Sequence, residues 1–173
     1  MEALTEHTIP FTGLSDGPHE FRFELGTPFF EAAGEEEFEG GEVSVLVKLD
    51  KTPTMLVTHI HVEGPVQVLC DHCNTSMDLA LSGDQRQIFQ LFGEADVEDD
   101  ELVVLDPRAH SFNLTHYIYE CLRLSLPARH VHPEGQCDPE VEKVLEKLNP
   151  EHSAEWRTDP RWEVLQQLKT KRP

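Results

Sequence analysis

The sequence predicts an α+β fold: an antiparallel β-meander or open barrel followed by C-terminal helices, with a structural zinc site. Three observations predict it. Period-two alternation is dense between about residues 19 and 105, helical periodicity with cap signals replaces it from residue 106, and a C-x-x-C ends one of the strands. With 173 residues, 38% of them hydrophobic, we expect one domain spanning 1–173, in which zinc joins the helical part at 106–173 to the β-rich body.

The strand predictions rest on alternation. In the first strand, Phe21, Phe23 and Leu25 alternate with charged residues before Gly26 and Pro28 break the pattern. An acidic, glycine-flanked insert at 31–41 has little to bury. Further strands are predicted at residues 42–51, 55–62, 66–69, 77–81, 87–92 and 102–105. Their short connections favour antiparallel neighbours.

The helix predictions rest on apolar residues at helical spacing and on cap residues. The first helix has apolar or aromatic side chains at Leu114, Tyr117, Ile118, Cys121 and Leu122. Ser111 or Asn113 is its cap and Pro127 ends it. Asp138-Pro139-Glu140 starts a second helix, whose buried stripe is predicted at Val141, Val144, Leu145 and Leu148. Asp159-Pro160 starts a third, with Trp162, Leu165 and Leu168 on its apolar side.

Charge restricts the class of partner. The formal net charge is -19, and residues 1–100 hold 4 Lys and Arg against 21 Asp and Glu. Six carboxylates fall within residues 94–101, which we expect to be an exposed loop. Such a surface repels bare nucleic acid over most of its area, so a basic protein or a mixed ribonucleoprotein is the easier partner, although strong acidity also serves solubility alone. Because we find neither an apolar run of about 18 residues nor a signal-peptide pattern, we expect a cytoplasmic protein with no membrane contact.

A metal site is predicted around Cys70-Asp71-His72-Cys73, at the end of a strand. Two residues between cysteines let both thiolates converge on one ion. Redox C-x-x-C motifs share this spacing, but they sit at helix N-termini, whereas residues 75–81 read as a strand. We therefore favour structural zinc over thioredoxin-like chemistry.

Cys137 is the clearest third ligand, because it follows the flexible Pro133-Glu134-Gly135 in a polar loop. We choose His132 as the fourth because it lies in the same loop with four residues between the two. His130 is an alternative, and both histidines are also compatible with a solvated loop. Cys121 would complete an all-thiolate site, but it lies on a helical apolar stripe and is expected in the core.

The predicted ligands close the coordination shell, whereas a catalytic zinc keeps an open position. Glu134 and Asp71 are close in sequence, but acidic residues are too common in this chain for that proximity to indicate a general base. We find no H-E-x-x-H, no deaminase signature, no Walker loop and no nucleophile elbow. We therefore expect no enzyme activity.

In the order and spacing of its motifs along the sequence, the chain resembles the YceD family, the large ribosomal RNA subunit accumulation proteins. Three segments carry the resemblance, from about residue 20 to the C-terminus. They are the strand-borne knuckle at residues 66–73, the helix that runs into Leu-Pro at 120–127 and is followed by His132 and Cys137, and the Asp-Pro helix at 159–169. The resemblance also favours His132 as fourth ligand, since Cys121 falls on a helix position that the family fills with other residues.

The resemblance implies a non-catalytic factor that supports large-subunit ribosomal RNA accumulation or processing. Its partner would be a pre-ribosomal large subunit or a basic ribosomal protein. RNA contact would concentrate at the C-terminal Lys169, Lys171 and Arg172. Two other functions remain open, a zinc-dependent nucleic-acid-processing enzyme and an acidic binding module for basic proteins.

Overall fold

The alternating segments form long strands in the computed structural model, which describes residues 4–34, 37–92 and 102–148. The strands are β1 (Thr8–Pro10), β2 (Gly17–Leu25), β3 (Gly40–Gly41), β4 (Val43–Lys51), β5 (Met55–Leu69), β6 (Ser76–Gln90), β7 (Leu102–Val104) and β8 (Ser111–Asn113). The helices are α1 (Thr27–Ala33), α2 (Thr115–Leu124) and α3 (Pro139–Leu148), and a 3-10 turn spans Thr5–His7. The α+β class is therefore confirmed.

The main sheet has the strand order β2-β4-β5-β6-β7, with β3 also paired to β5. Strands β2, β4, β5 and β6 are antiparallel neighbours, which confirms the meander, while β7 runs parallel to β6. Strands β1 and β8 form a separate antiparallel pair. Over the described residues β2 and β7 do not pair with each other, so the sheet is not a closed barrel.

Four of the predicted strands merge into two longer ones. Residues 55–62 and 66–69 both belong to β5, and 77–81 and 87–92 both contribute to β6. Their pairing is unbroken from Met55 opposite Gln90 to Leu69 opposite Ser76. Gly64 lies between the two predicted segments and is paired within the ladder. A glycine fits there because the backbone of Glu42 and Val43 occupies the place that a Cβ would take.

The core lies on one face of the sheet, and the alternation of β4 shows how it is built. Val43, Val45, Val47 and Leu49 are buried, whereas the residues between them are exposed or half-buried. Helix α2 contributes Ile118, Cys121 and Leu122 to the same core. The N-cap position of α2 is Leu114, which makes no side-chain cap hydrogen bond, so neither Ser111 nor Asn113 is the cap residue. Asn113 lies one residue earlier, and its Oδ1 accepts the backbone N–H of Thr115 at 2.9 Å.

The expectation that residues 31–41 bury little is wrong. The segment begins within α1, where Phe29, Phe30 and Ala33 are buried, and it continues to a buried Phe38. The Phe38 ring lies 5.9 Å from that of Phe30 and 5.7 Å from that of Tyr119, measured between centroids. Aromatic packing therefore anchors an acidic segment in which Glu31 and Glu39 are exposed.

The chain consists of two compact units, Met1–His132 and Pro133–Pro173, and the expectation of one domain stays a prediction. In the second unit α3 starts as predicted, with Asp138 Oδ1 accepting the N–H of Glu140 at 2.8 Å. Its apolar stripe was predicted to be buried, and that is wrong: Val144 is 53% and Leu148 72% exposed. Within this unit only residues 133–148 are described, and they offer too few side chains to cover the stripe.

Several predicted features lie outside the described residues. They are the acidic loop at 94–101, the helix that starts at Asp159-Pro160, and the basic residues Lys169, Lys171 and Arg172. Of the helices in the described ranges, none is long and apolar enough to span a membrane.

Helix α2 approaches the sheet so closely at Gly83 that a Cβ there would collide with Oγ and Cβ of Ser125. We expect Gly83→Ala to lower the free energy of unfolding by about 1–3 kcal/mol through overpacking. Urea denaturation measures this. Gly13→Ala, where an added Cβ meets nothing within 4 Å, is the matched control. In a Ser125→Gly background the cost of Gly83→Ala should fall, and an undiminished cost would show that this contact is not its cause.

Candidate metal centre

The two knuckle cysteines lie in the turn that joins β5 to β6. The N–H of Cys70 donates to the carbonyl of Thr75 at 2.9 Å, and the N–H of Asn74 donates to the carbonyl of Cys70 at 2.8 Å. Asn74 has a φ of 57°, in the left-handed region that asparagine tolerates better than most residues. These bonds make a compact turn in which Cys70 is 1% and Cys73 4% exposed.

Hydrogen bonds stabilise the thiolate of Cys70. Its Sγ accepts the backbone N–H of His72 at 3.4 Å. Burial raises the pKa of the Cys70 thiol, but the backbone N–H groups of Cys73, His132 and His72, together with the His132 ring, outweigh it and bring the pKa below its ordinary value. The thiolate is the form of cysteine that binds a metal, so the turn favours the metal-binding form of Cys70.

His132 lies next to both thiols. Its Nδ1 is 3.4 Å from the Sγ of Cys73, and Thr75 Oγ1 lies 3.1 Å from the same Sγ. The pKa of His132 is raised, mainly by its hydrogen bond to Cys70 and against the opposing effect of burial. The neighbouring thiols favour the charged form of the ring, which is why the pKa moves in this direction. Metal binding would compete with protonation of the ring, because only the neutral imidazole has a lone pair to donate.

Asp71 and His130 fix the position of the loop that carries His132. The N–H of Asp71 donates to the carbonyl of His130 at 2.9 Å, and the N–H of His130 donates to Oδ2 of Asp71 at 2.8 Å. The His130 ring turns towards the same carboxylate, with Nε2 3.6 Å from Oδ1. We call this reciprocal contact the Asp71–His130 clamp. It holds two chain segments 59 residues apart next to each other.

The structure separates the four cysteines into two environments. Cys70, Cys73, His132 and Cys137 lie close enough to one another to hold a metal ion. Cys121 is 1% exposed in the core, as predicted, and its Sγ faces the carbonyl of Ile60 at 4.0 Å. Burial in this apolar site raises the pKa of the Cys121 thiol to about 11. That thiol is therefore poorly suited to metal binding.

The grouped residues suit zinc. Thiolates and an imidazole are the donors of structural zinc sites, whereas calcium and magnesium select oxygen ligands. Sequence reasoning predicted the four residues that the structure groups together, but it missed the Asp71–His130 clamp. No local sequence pattern reveals the clamp, because it joins two positions 59 residues apart. The Asp71 carboxylate that accepts the N–H of His130 is also one of many carboxylates in this acidic chain.

Comparison with known proteins identifies one family. Residues 58–169 match the family model described as "Large ribosomal RNA subunit accumulation protein YceD". The match spans the knuckle, α2 and α3, and it starts later than the residue 20 suggested by the motif order. Neither the curated proteins nor the solved structures yield a match.

The Asp71–His130 clamp can be tested by Asp71→Ala, which removes the carboxylate and retains the backbone hydrogen bond from Asp71. Supporting contacts of this kind typically contribute about 10–100-fold to metal affinity, and we expect a loss of zinc affinity in that range. Competition with a chromophoric chelator measures it. Asp78→Ala, an exposed carboxylate on β6, is the control and should leave affinity unchanged. Equal affinity in the two variants would contradict the role of the clamp.

Proposed function

Because the chain belongs to the YceD family, we propose that it is a non-catalytic factor that supports large-subunit ribosomal RNA accumulation or processing in ribosome assembly. The family match carries this proposal. It extends over 58–169 and therefore includes all four candidate metal ligands. The family is described by an effect on the accumulation of an RNA subunit, which requires no chemical step by the protein itself.

The partner we propose is a pre-ribosomal large subunit, contacted in the cytoplasm through a basic ribosomal protein. A net charge of -19 supports this choice, because basic ribosomal proteins are electrostatically complementary to the chain and bare RNA is not. Lys169, Lys171 and Arg172 would add an RNA contact at the C-terminus. Complementary charge also raises the rate of association with such a particle and makes that rate sensitive to salt.

The metal we propose is zinc, held by Cys70, Cys73, His132 and Cys137 in a structural role. Support comes from the buried thiols, the N–H···S bonds at Cys70 and the adjacent imidazole. Cys137 adds the third thiolate from a position five residues beyond His132. Four protein ligands close a tetrahedral shell, so no position is left for a reacting water.

Ligand substitutions should separate the four-residue set from its alternatives. We expect elemental analysis to give one zinc per chain in the wild type and in Cys121→Ser, and much less in Cys73→Ser and His132→Ala after dialysis against a weak chelator. His130→Ala tests the alternative histidine: it removes only the ring contact of the clamp and keeps the backbone bonds to Asp71, so it should retain more zinc than His132→Ala. Loss of zinc in Cys121→Ser together with retention in His132→Ala would refute the assignment.

Metal removal distinguishes a structural from a catalytic site. A structural zinc contributes to folding directly, so chelation should lower the melting temperature and increase hydrogen exchange in the knuckle. In the alternative, a zinc-dependent nucleic-acid-processing enzyme, chelation would abolish turnover of RNA and leave the fold largely intact. Calorimetry and an RNA cleavage assay on the same samples report the two outcomes.

Sedimentation tests the proposed function. A tagged wild-type chain in a sucrose gradient should co-migrate with large-subunit precursors at low salt and dissociate as salt increases, because exposed charges are screened. A double variant, Cys70→Ser with Cys73→Ser, should move towards the free fraction if the zinc-held fold is required. Migration of the wild type only as free protein would contradict the proposal.

A further inference from the structure

Strand β2 forms one edge of the main sheet, and only one of its two sides is hydrogen-bonded to a neighbour. It pairs with β4 along all 9 of its residues, from Gly17 opposite Lys51 to Leu25 opposite Val43, without a bulge. In the parts of the chain that the structure describes, no other backbone segment bonds its outer side. Such an edge presents a row of main-chain donors and acceptors with which another strand can pair.

The hydrogen bonds at the two ends of the β4–β5 ladder show which side of each strand every residue faces. The N–H of Thr52 donates to the carbonyl of Met55 at 2.9 Å, and the N–H of Glu42 donates to the carbonyl of Pro65 at 3.0 Å. Hydrogen-bonding direction alternates from residue to residue along an antiparallel ladder. Even-numbered residues of β4 therefore bond β5, and odd-numbered residues of β4 bond β2.

The residues of β2 that lie opposite the odd-numbered residues of β4 are also odd-numbered. The N–H and C=O groups of Glu20, Arg22 and Glu24 therefore point away from the sheet, and their side chains are exposed on its solvent face. Pro18 has no N–H to donate, so the complete set of outward groups begins after it. We call the outer side of residues 20–25 the open edge.

Residues 76–87 of β6 also lack a second strand neighbour, because β7 pairs only with the end of β6. Helix α2 approaches β6 there, however. Nε2 of Gln85 donates to Glu120 at 2.9 Å, and Gly83 lies against Ser125. We therefore take the open edge on β2 as the more accessible of the two.

The core-side face of the open edge has apolar surface that is incompletely covered. Phe21 and Phe23 pack against the core but are only half-buried, whereas the core-facing residues of β4 from Val43 to Leu49 are all buried. The His7 ring lies edge-on to that of Phe23, with 5.4 Å between centroids, and covers it from one side only. A strand added to the open edge would bury more of both phenylalanine rings, which favours association.

Charge on the solvent face of the open edge favours a cationic occupant. Glu20 pairs with Arg22 at 2.7 Å, whereas Glu24 has no ion pair within the described residues. Opposite charges on adjacent strands stabilise their pairing, and like charges destabilise it. A second copy of the chain would bring another net charge of -19, and RNA would bring phosphates, so a cationic strand is the better match.

We propose that the open edge binds an extended cationic segment of a protein partner as an additional β-strand. This inference rests on the proposed function, in which the partner is a basic ribosomal protein, and it identifies the surface that would contact that protein. Main-chain hydrogen bonds would supply affinity, and alternating side chains would supply specificity.

The open edge specifies a sequence pattern for its occupant. Basic residues would lie opposite Glu20 and Glu24, with an uncharged polar residue opposite Arg22 between them. The two intervening residues would be apolar and would cover Phe21 and Phe23. The pattern is therefore basic, apolar, polar, apolar, basic, and it reads the same in both directions along a strand.

The experiment is an NMR titration of the zinc-loaded full chain with the capped peptide Gly-Lys-Val-Thr-Val-Lys-Gly. The control peptide Gly-Val-Lys-Thr-Lys-Val-Gly has the same composition, but the closer spacing of its lysines places one of them opposite Arg22. We expect the control to bind about fivefold more weakly, and Gly-Glu-Val-Thr-Val-Glu-Gly more weakly still. Equal affinity of the two lysine peptides, or no binding of the first, would overturn the proposal.

Hydrogen exchange provides a readout that needs no substitution. Saturating peptide should slow exchange of the outward amides of Glu20, Arg22 and Glu24 much more than that of Phe21 and Phe23, whose amides already bond β4. Equal slowing in the two sets, or slowing in neither, would contradict strand addition.

Arg22→Pro tests the main-chain contact, because it removes an outward N–H and no hydrogen bond to β4. The matched control is Arg22→Ala, which removes the same cation and keeps the N–H. We expect the proline variant to bind the peptide at least about fivefold more weakly than the alanine variant. Melting temperatures verify that both are folded, and equal affinity in two folded variants would refute the contact.

Glu20→Gln with Glu24→Gln tests the charge match without altering the backbone. We expect affinity to fall about three- to tenfold at low salt, with a smaller difference at high salt. The matched control, Asp50→Asn with Glu63→Gln, removes two exposed carboxylates from strands that have a neighbour on each side, and it should stay within about twofold of the wild type. Equal weakening would show an effect of net charge alone and overturn the proposal.

Two further measurements separate this inference from its alternatives. Sedimentation equilibrium without peptide should show no dimer that Arg22→Pro abolishes; such a dimer would identify a second copy as the occupant and refute the proposal. If the wild type co-migrates with large-subunit precursors and Arg22→Pro co-migrates equally at every salt concentration, only the open edge is refuted. If the wild type does not co-migrate, the proposed function is refuted whatever the peptide affinities are.

Discussion

The antiparallel pairing of β5 with β6 is the constraint on which both the candidate metal centre and the exposed face of the sheet depend. Its register is continuous from Met55 opposite Gln90 to Leu69 opposite Ser76, and the turn that closes it contains the knuckle cysteines. Every cross-strand hydrogen bond along this long hairpin helps to fix the position of the closing turn. The thiols therefore converge because the ladder brings both strands to the turn in a defined register, and the Asp71–His130 clamp then adds the imidazole.

The same register decides what the opposite face of the sheet presents. Side chains alternate between faces, so a slip by one residue would move Ile60 out of the core and His59 into it. Burial of Leu56, Thr58, Ile60 and Val62 on one face therefore places Val57, His59 and His61 on the other. Core packing and surface chemistry are thus specified together. A substitution that disturbs the hairpin should affect both the metal centre and the sheet face.

Sequence alone predicted the strands well where alternation was regular and less well where glycines interrupted it. Gly64 and Gly83 lie between predicted strands, but both allow close approach within continuous strands, to the Glu42–Val43 backbone and to Ser125. Helix α1 was missed because a seven-residue helix has too few turns for a periodic signal. The parallel pairing of β7 was missed because direction depends on the path of the preceding connection, which composition does not reveal.

The candidate site, too, could be predicted from the sequence only in part. Motif spacing predicts Cys70 and Cys73 as ligands, and helical periodicity predicts Cys121 in the core, where it is found. Loop spacing favours His132 as the fourth ligand and keeps His130 as an alternative. Their distinction depends on the carboxylate of Asp71, which engages the backbone and ring of His130. Contacts between residues 59 apart have no local signature, so they become visible only in the folded chain.

A comparison of two buried thiols shows what makes a cysteine a ligand. Cys70 and Cys121 are each 1% exposed, yet the pKa of Cys70 is lowered and that of Cys121 is raised to about 11. Burial alone disfavours a thiolate in both. The difference is that backbone N–H groups of a tight turn point at Cys70 Sγ, whereas in α2 the N–H groups near Cys121 are used by the helix. Turn geometry, more than burial, therefore selects the residues able to hold a metal.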